Sequence, residues 1–123
     1  MLKFHFYFEI TNLTQHLMKV IGQPPFGNLS TTIENNQYQE FTAVLHPNQS
    51  IDLECQIQDK SCYKFQFTYR KQKRNHQFAC QYHYPLGYEA IIVTNLIHPK
   101  FQIDITCRPL ALPNLLTNGK PTK

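Results

Sequence analysis

The chain has 123 residues, enough for one domain that buries a hydrophobic core. Its formal net charge is only +4, far below that of a histone-like tail, which argues against nucleic-acid binding. No apolar run approaches the roughly 18 residues that a membrane-spanning helix requires, so no transmembrane segment is predicted. Nine Phe and seven Tyr, together with many Ile and Thr, favour strands over helices.

Alternation of apolar and polar residues predicts strands from the start of the chain. The first segment, KFHFYFEIT, has four apolar side chains on one face: Phe4, Phe6, Phe8 and Ile10. HLMKVI is a short candidate strand, and GQPPFGN after it is a loop. Residues 38–45 form the next predicted strand. SIDLECQI then has one apolar face: Ile51, Leu53, Cys55 and Ile57.

The second half of the chain continues the pattern. CYKFQFTYR groups Tyr63, Phe65, Phe67 and Tyr69, and HQFACQYHY groups Phe78, Cys80, Tyr82 and Tyr84. YEAIIVTNLI is a more continuous apolar run than the other segments, which is typical of a strand buried on both faces. KFQIDITC groups Phe101, Ile103, Ile105 and Cys107. About eight strands with turn signals at short intervals predict an all-β fold, an antiparallel β-sandwich.

The predicted sandwich domain covers residues 1–108, and residues 109–123 form a Pro-containing tail that we expect to lie extended and to fray at its end. The opening MLKFHFYFEI alternates and contains His5 and Glu9, so it does not resemble a signal peptide. We expect an exported protein whose leader has been removed.

Four cysteines, at positions 55, 62, 80 and 107, form no CxxC pair, so a zinc site of that spacing is not predicted. An even number in a small β-rich chain favours disulfides and a secreted or periplasmic location. The alternative is four buried free thiols. Three pairings exist. We prefer Cys55 with Cys62 through an irregular turn, and Cys80 with Cys107 in the core.

Three Asn-x-Ser/Thr triplets begin at Asn12, Asn28 and Asn48, and each is an acceptor sequence for glycans in a eukaryotic secretory route. The six histidines form no HxxxH or HExxH pattern, and no spacing among the acids suggests a catalytic dyad. We therefore predict no catalytic residues, no metal and no cofactor, and a protein that is not an enzyme. A site assembled from distant residues is the alternative.

The hairpin YRKQKRNH carries four cations, Arg70, Lys71, Lys73 and Arg74, and no acid occurs between Asp59 and Glu89. Such side chains reach phosphate or sulfate without burying their charge. The alternative is that they protect a strand edge against aggregation.

Three tyrosines, Tyr82, Tyr84 and Tyr88, surround a Pro-Leu-Gly turn. Tyrosine rings can stack on sugars or lie at a membrane interface. The alternative is that the rings cap the core. In a simple hairpin the basic tip and the tyrosines lie at opposite ends.

Four stretches across residues 6–107 carry a family resemblance: FEITNLT, then PPF…TTI…YQEFTA, CYKFQFTY and YPLGYEAIIVTN. The first resembles the opening strand of aegerolysins and related actinoporin-like β-sandwiches, and the others resemble the order of strands in those proteins. The resemblance implies a secreted sandwich that binds membrane lipid headgroups, with Tyr82, Tyr84 and Tyr88 near the lipid-facing loop. The chain has no Trp and four Gly, whereas those families are rich in both.

These observations predict a non-enzymatic secreted module that binds a membrane lipid headgroup or a glycan surface, and the predicted partner is an anionic lipid or glycan surface. The predicted ligand-binding residues are the four cations and the three tyrosines. The alternative is a protein-interaction module, such as an effector, inhibitor or adhesin, that uses its sheet edges.

Overall fold

The computed structural model describes residues 4–23, 29–58, 61–97 and 100–111, with the backbone only at 71, 72, 75, 76 and 97. The described residues form nine strands: β1 (Phe4–Asn12), β2 (Met18–Gly22), β3 (Leu29–Ile33), β4 (Gln37–Leu45), β5 (Ser50–Gln58), β6 (Ser61–Gln72), β7 (Asn75–His83), β8 (Tyr88–Ile97) and β9 (Lys100–Pro109). The predicted all-β sandwich is confirmed. The strand that the sequence did not predict is β3, whose sequence LSTTI has only two aliphatic residues.

Two sheets pack face to face. One has the strand order β4-β1-β9-β8, and the other has the order β3-β2-β5-β6-β7. Neighbouring strands are antiparallel except β1 and β9, which pair in parallel from His5 opposite Lys100 to Asn12 opposite Cys107. The sandwich is therefore antiparallel with one exception, because β1 and β9 enter their sheet from the same end.

The apolar faces predicted by alternation are the faces that meet in the core. Every second residue of β1, β5 and β9 is buried, and so are the four inward rings of β6. Phe6 of β1 stacks on Phe101 at 5.0 Å and on Phe78 of the opposite sheet at 5.4 Å between ring centroids. Burial of each such ring contributes about 1.5–3 kcal/mol, so this aromatic cluster holds the two sheets together.

The prediction that YEAIIVTNLI is buried on both faces is wrong. This segment is β8, the outermost strand of its sheet, with β9 as its one neighbour there. Ile91, Val93 and Leu96 are 40%, 56% and 46% exposed. An aliphatic strand has the same sequence signature at the centre of a sheet and at its edge, because sheet order depends on distant segments.

Consecutive strands run in opposite directions, so the loops alternate between the two ends of the sandwich. Loops 13–17, 34–36 and 84–87 and residues 110–111 lie at one end, here called the leucine end. Turns 46–49 and 73–74 lie at the other, here called the basic end. The remainder of the predicted tail, 112–123, lies outside the described residues.

Candidate functional site

The predicted cations lie at the basic end. Arg70 is exposed in β6, and Lys73 and Arg74 form the two-residue exposed turn between β6 and β7. Lys71 belongs to β6, but its side chain lies outside the described part of the structure. Lys73 has a φ of 55°, a left-handed conformation that is unfavourable for residues with a Cβ.

The predicted tyrosines lie at the leucine end, near the last residues of β7 and the start of β8. Arg70 is opposite Gln77 in the β6–β7 ladder, and Tyr82 is five residues further along β7. That separation is roughly 17 Å at 3.4 Å per residue. The predicted ligand-binding residues therefore form two groups, one at each end, as hairpin geometry predicts.

Two of the predicted tyrosines are half-buried and close the core. The Tyr84 hydroxyl donates to the Ala90 carbonyl at 3.0 Å, and burial raises the pKa of Tyr84 to about 12. Tyr63 of β6 packs edge-on against Tyr84 and Tyr88, with centroid distances of 6.2 and 6.3 Å. Tyr82, which is 55% exposed, stacks on Tyr84 at 4.9 Å and presents its ring to solvent.

The leucine end takes its name from four exposed leucines on its loops. The exposed fractions of these side chains are 100% for Leu86, 58% for Leu17, 51% for Leu110 and 36% for Leu13. Backbone hydrogen bonds join the segments that carry Leu110 and Leu13 to neighbouring parts of the chain. Leu110 N–H donates to the Gly87 carbonyl at 2.8 Å, and Leu13 N–H donates to the Cys107 carbonyl at 2.7 Å. Four exposed leucines that share one end of the sandwich make that end a candidate interaction site.

Leu86 projects because of the turn that carries it. Tyr88 N–H donates to the Pro85 carbonyl at 3.1 Å, and Gly87 has a φ of 86°. This is the pattern of a type II turn, which requires a positive φ at its third position and there favours glycine. Leu86 occupies the second position of the turn, and its side chain points into solvent.

The loop that carries Leu13 and Leu17 is fixed by the buried side chain of Asn12. The Asn12 amide donates to the carbonyls of His16 at 2.7 Å and Ile33 at 2.8 Å. Its carbonyl oxygen accepts from the Thr14 N–H at 2.9 Å and the Thr14 hydroxyl at 2.6 Å. The loop therefore presents its leucines on a rigid frame.

The first of the three acceptor sequences for glycosylation is thus a structural motif, because the Asn12 amide is buried and fully engaged. Asn48 is exposed in a turn at the basic end, with a φ of 68°. Asn28 lies outside the described residues.

The leucine end also carries an ion pair. Arg108 Nε donates to Glu89 Oε2 at 2.6 Å, and both side chains are partly exposed. The pair balances charge beside the tyrosines. The apolar loops, rather than net charge, distinguish this end.

All four cysteines are free thiols, so the predicted disulfides are not present. The pairing of Cys55 with Cys62 is wrong because their side chains lie on opposite faces of the sheet: Cys55 faces the core, and Cys62 faces outward opposite Gln56. A hydrogen bond with Cys107, together with burial, raises the pKa of Cys55 well above its ordinary value. Cys107 thus neighbours Cys55, while its predicted partner Cys80 is on edge strand β7.

Within the described ranges, no three His, Cys, Asp or Glu side chains are grouped so that they could hold a metal ion. The same ranges contain no helix that is long and apolar enough to cross a membrane.

A comparison with protein-family models gives no match, and a search of the curated proteins finds no relative. The resemblance to aegerolysins and the secreted or periplasmic location therefore stay predictions.

Sequence reasoning selected the tyrosines around Pro85 and Gly87 but missed the leucines. The available signal was that Leu13, Leu86 and Leu110 lie outside the alternating segments, next to turn-forming residues, whereas Leu17 lies in HLMKVI, a predicted strand. Their grouping at one end follows from the direction of the strands, which the sequence does not display.

Proposed function

We propose that the protein is a non-enzymatic module that binds a lipid surface through its leucine end. The observation that carries the proposal is Leu86, whose whole side chain is exposed at the tip of a hydrogen-bonded turn. Leaving a leucine in water rather than burying it costs about 1.5–3 kcal/mol. Leu17 and Leu110, each more than half exposed, add to this unfavourable term, which a bilayer removes.

The arrangement of the leucines supports a lipid surface as the partner. They lie on loops and not on a flat sheet face, so they can enter the headgroup region while the sandwich stays outside. Tyr82 exposes an amphipathic ring near the same end, which suits the membrane interface. Because Arg108 is paired with Glu89, hydrophobic insertion supplies the binding free energy rather than attraction to anionic lipid.

The proposal keeps a lipid ligand and Tyr82 from the sequence prediction, but it replaces the four cations by leucines and attraction to anionic lipid by insertion. Arg70, Lys73 and Arg74 lie at the opposite end of the sandwich. When the leucine end contacts a bilayer, these cations face water.

The test is flotation of the protein with phosphatidylcholine vesicles. Wild type should float with the vesicles. The double variant Leu17→Ser/Leu86→Ser should bind at least about thirtyfold more weakly, because each leucine contributes about 1 kcal/mol or more.

Leu96→Ser is the matched control, because Leu96 is a similarly exposed leucine on strand β8, towards the basic end. It should bind like wild type. The substituted side chains are exposed, so all three proteins should unfold at similar temperatures. Equal binding by wild type and the double variant would contradict the proposal.

A second candidate is a protein-interaction module, and β8 is the observation that favours it. It is an edge strand of ten residues with exposed Ile91 and Val93 on its outer face. Native proteins usually protect such edges with charges, and an unprotected edge can pair with another extended chain.

Sedimentation velocity over a range of concentrations tests this second candidate. Wild type should self-associate through β8, and Val93→Lys should remain monomeric. Identical sedimentation of the two proteins would count against an interface at β8.

A further inference from the structure

The outer face of the five-stranded sheet carries an elongated groove along β5, β6 and β7. Three depressions form it, with volumes of about 230, 430 and 640 Å³. The first two share Gln66 and Gln81, and the last two share Glu54, Lys64 and His83. The three depressions are therefore continuous and are here called the outer groove.

The outer groove connects the two ends of the sandwich. Arg70 lines its first depression, and Leu86 lines its last. Along β6, from Arg70 to Cys62, it extends over eight residues, roughly 27 Å. This length suits an extended chain of linked units rather than one compact small molecule.

Amide side chains in the outer groove are held in place by neighbouring carboxylates. Gln66 Nε2 donates to Asp52 Oδ1 at 3.1 Å, and Gln56 Nε2 donates to Glu54 Oε1 at 3.1 Å. The hydrogen bonds from Gln56 and Cys62 lower the pKa of Glu54, which is therefore ionised at neutral pH. An amide held by one N–H keeps its carbonyl oxygen and its second N–H for a ligand.

Charges of both signs line the outer groove. Glu54 is opposite Lys64 and Asp52 is opposite Gln66 in the β5–β6 ladder, and Arg70 lies further along β6. A charged ligand lying along the groove would meet two carboxylates and two cations, so the lining favours neither sign of charge. Tyr82 borders the groove, but it pairs with inward-facing Phe65 and stacks on Tyr84, so its ring lies on the other face of the sheet. Paired donors and acceptors along the groove suit the hydroxyl groups of a sugar chain.

We propose that the outer groove binds an uncharged oligosaccharide that lies along β6. The ligand is either a free sugar chain or the same chain as the headgroup of a glycolipid. The glycolipid source rests on the proposed lipid function, because the groove ends beside Leu86 and a bound headgroup there would lie at the bilayer surface.

The test is a printed array that carries uncharged, sialylated and sulfated oligosaccharides. Wild type should be retained on uncharged sugars. Gln66→Ala/Gln81→Ala should bind at least about tenfold more weakly than wild type, because each substitution removes hydrogen-bonding groups from the middle of the groove. Gln102→Ala is the matched control, because Gln102 likewise donates to a neighbouring carboxylate, Asp104 Oδ1 at 2.9 Å, on the opposite sheet. It should bind like wild type.

Retention on sulfated sugars alone, no retention on uncharged sugars, or an equal loss in Gln102→Ala would overturn the proposal. Leu17→Ser/Leu110→Ser, at two exposed leucines that do not line the groove, should keep array binding while weakening vesicle binding. Wild type that binds uncharged sugars but not phosphatidylcholine vesicles would refute the lipid function and leave the groove intact.

Vesicles of phosphatidylcholine, with and without a glycolipid that bears the bound sugar, distinguish the two sources. Tighter binding to the glycolipid vesicles, lost in Gln66→Ala/Gln81→Ala, supports the headgroup. Equal binding to both vesicles overturns the glycolipid source.

Discussion

The two ends of the sandwich expose different side chains, and the backbone segments that carry them differ in how firmly they are held. At the leucine end, the side chain of Asn12 makes four hydrogen bonds, and Tyr84 ties its own segment to β8. At the basic end, cations lie on a turn of two residues, one of which has a left-handed backbone. Charged side chains on a turn are solvated whether or not they bind anything. Leucines held in water by a rigid loop are costly, and they are therefore the stronger evidence for a partner.

The largest difference between the two ends is expected in the free energy of unfolding when one asparagine is replaced at each end. Asn12→Ala removes four hydrogen bonds and leaves buried groups unpaired, so the free energy of unfolding should fall by about 2–4 kcal/mol. Asn48→Gly, at an exposed position with positive φ, should change it by less than about 0.5 kcal/mol. Urea unfolding measures both. Similar losses would mean that the two ends do not differ in rigidity.

Tyr84→Phe should destabilise the leucine end by about 1 kcal/mol, the usual contribution of one hydrogen bond. The pKa of Tyr84 is raised to about 12 in the folded protein, against about 10 in an unfolded chain. Its contribution is therefore complete below about pH 10 and is lost as the pH rises through about 12. Urea midpoints across this range should fall less steeply in Tyr84→Phe. Tyr38→Phe, at an exposed tyrosine, should behave as wild type does.

Lys73→Gly should stabilise the protein by up to about 1 kcal/mol, because glycine accepts the left-handed φ of this turn position. Arg74→Gly is the control, since Arg74 is in the same turn without a positive φ. Thermal unfolding compares them. A loss of stability in Lys73→Gly would show that the Lys73 side chain, not its backbone, matters at the basic end.

The smallest effect is expected from neutralising the cations together, by changing Arg70, Lys71, Lys73 and Arg74 to Gln. Binding to phosphatidylcholine vesicles should stay within about twofold of wild type, because insertion of leucines does not depend on distant charge. A tenfold loss in the flotation assay would move the lipid contact to the basic end.

Strands and their inward faces could be predicted because side-chain direction along a strand has a period of two, which is a local property. Phe4, Phe6 and Phe8 show it clearly, and they are buried. The edge position of β8 and the parallel pairing of β1 with β9 depend on contacts between distant segments. No local pattern encodes them.

The candidate site was predictable only in part for the same reason. The sequence identifies the turn around Gly87 and places the cations on a hairpin tip. It does not show that Leu13, Leu86 and Leu110 reach one end, nor that Cys55 and Cys62 face opposite sides of a sheet. Both facts follow from strand direction and register once the sheets are assembled.

The parallel pairing of β1 with β9 joins the two ends of the described chain and so affects how the protein folds during synthesis. His5 pairs with Lys100, so nearly the whole described chain must be synthesised before β1 acquires this neighbour. Such distant pairings slow folding, because a long loop must close before its contacts form. During synthesis on the ribosome, Phe6 and Phe8 remain without their β9 neighbours until that strand has emerged. The four-stranded sheet is therefore completed late, and a nascent chain is vulnerable to aggregation until β9 arrives.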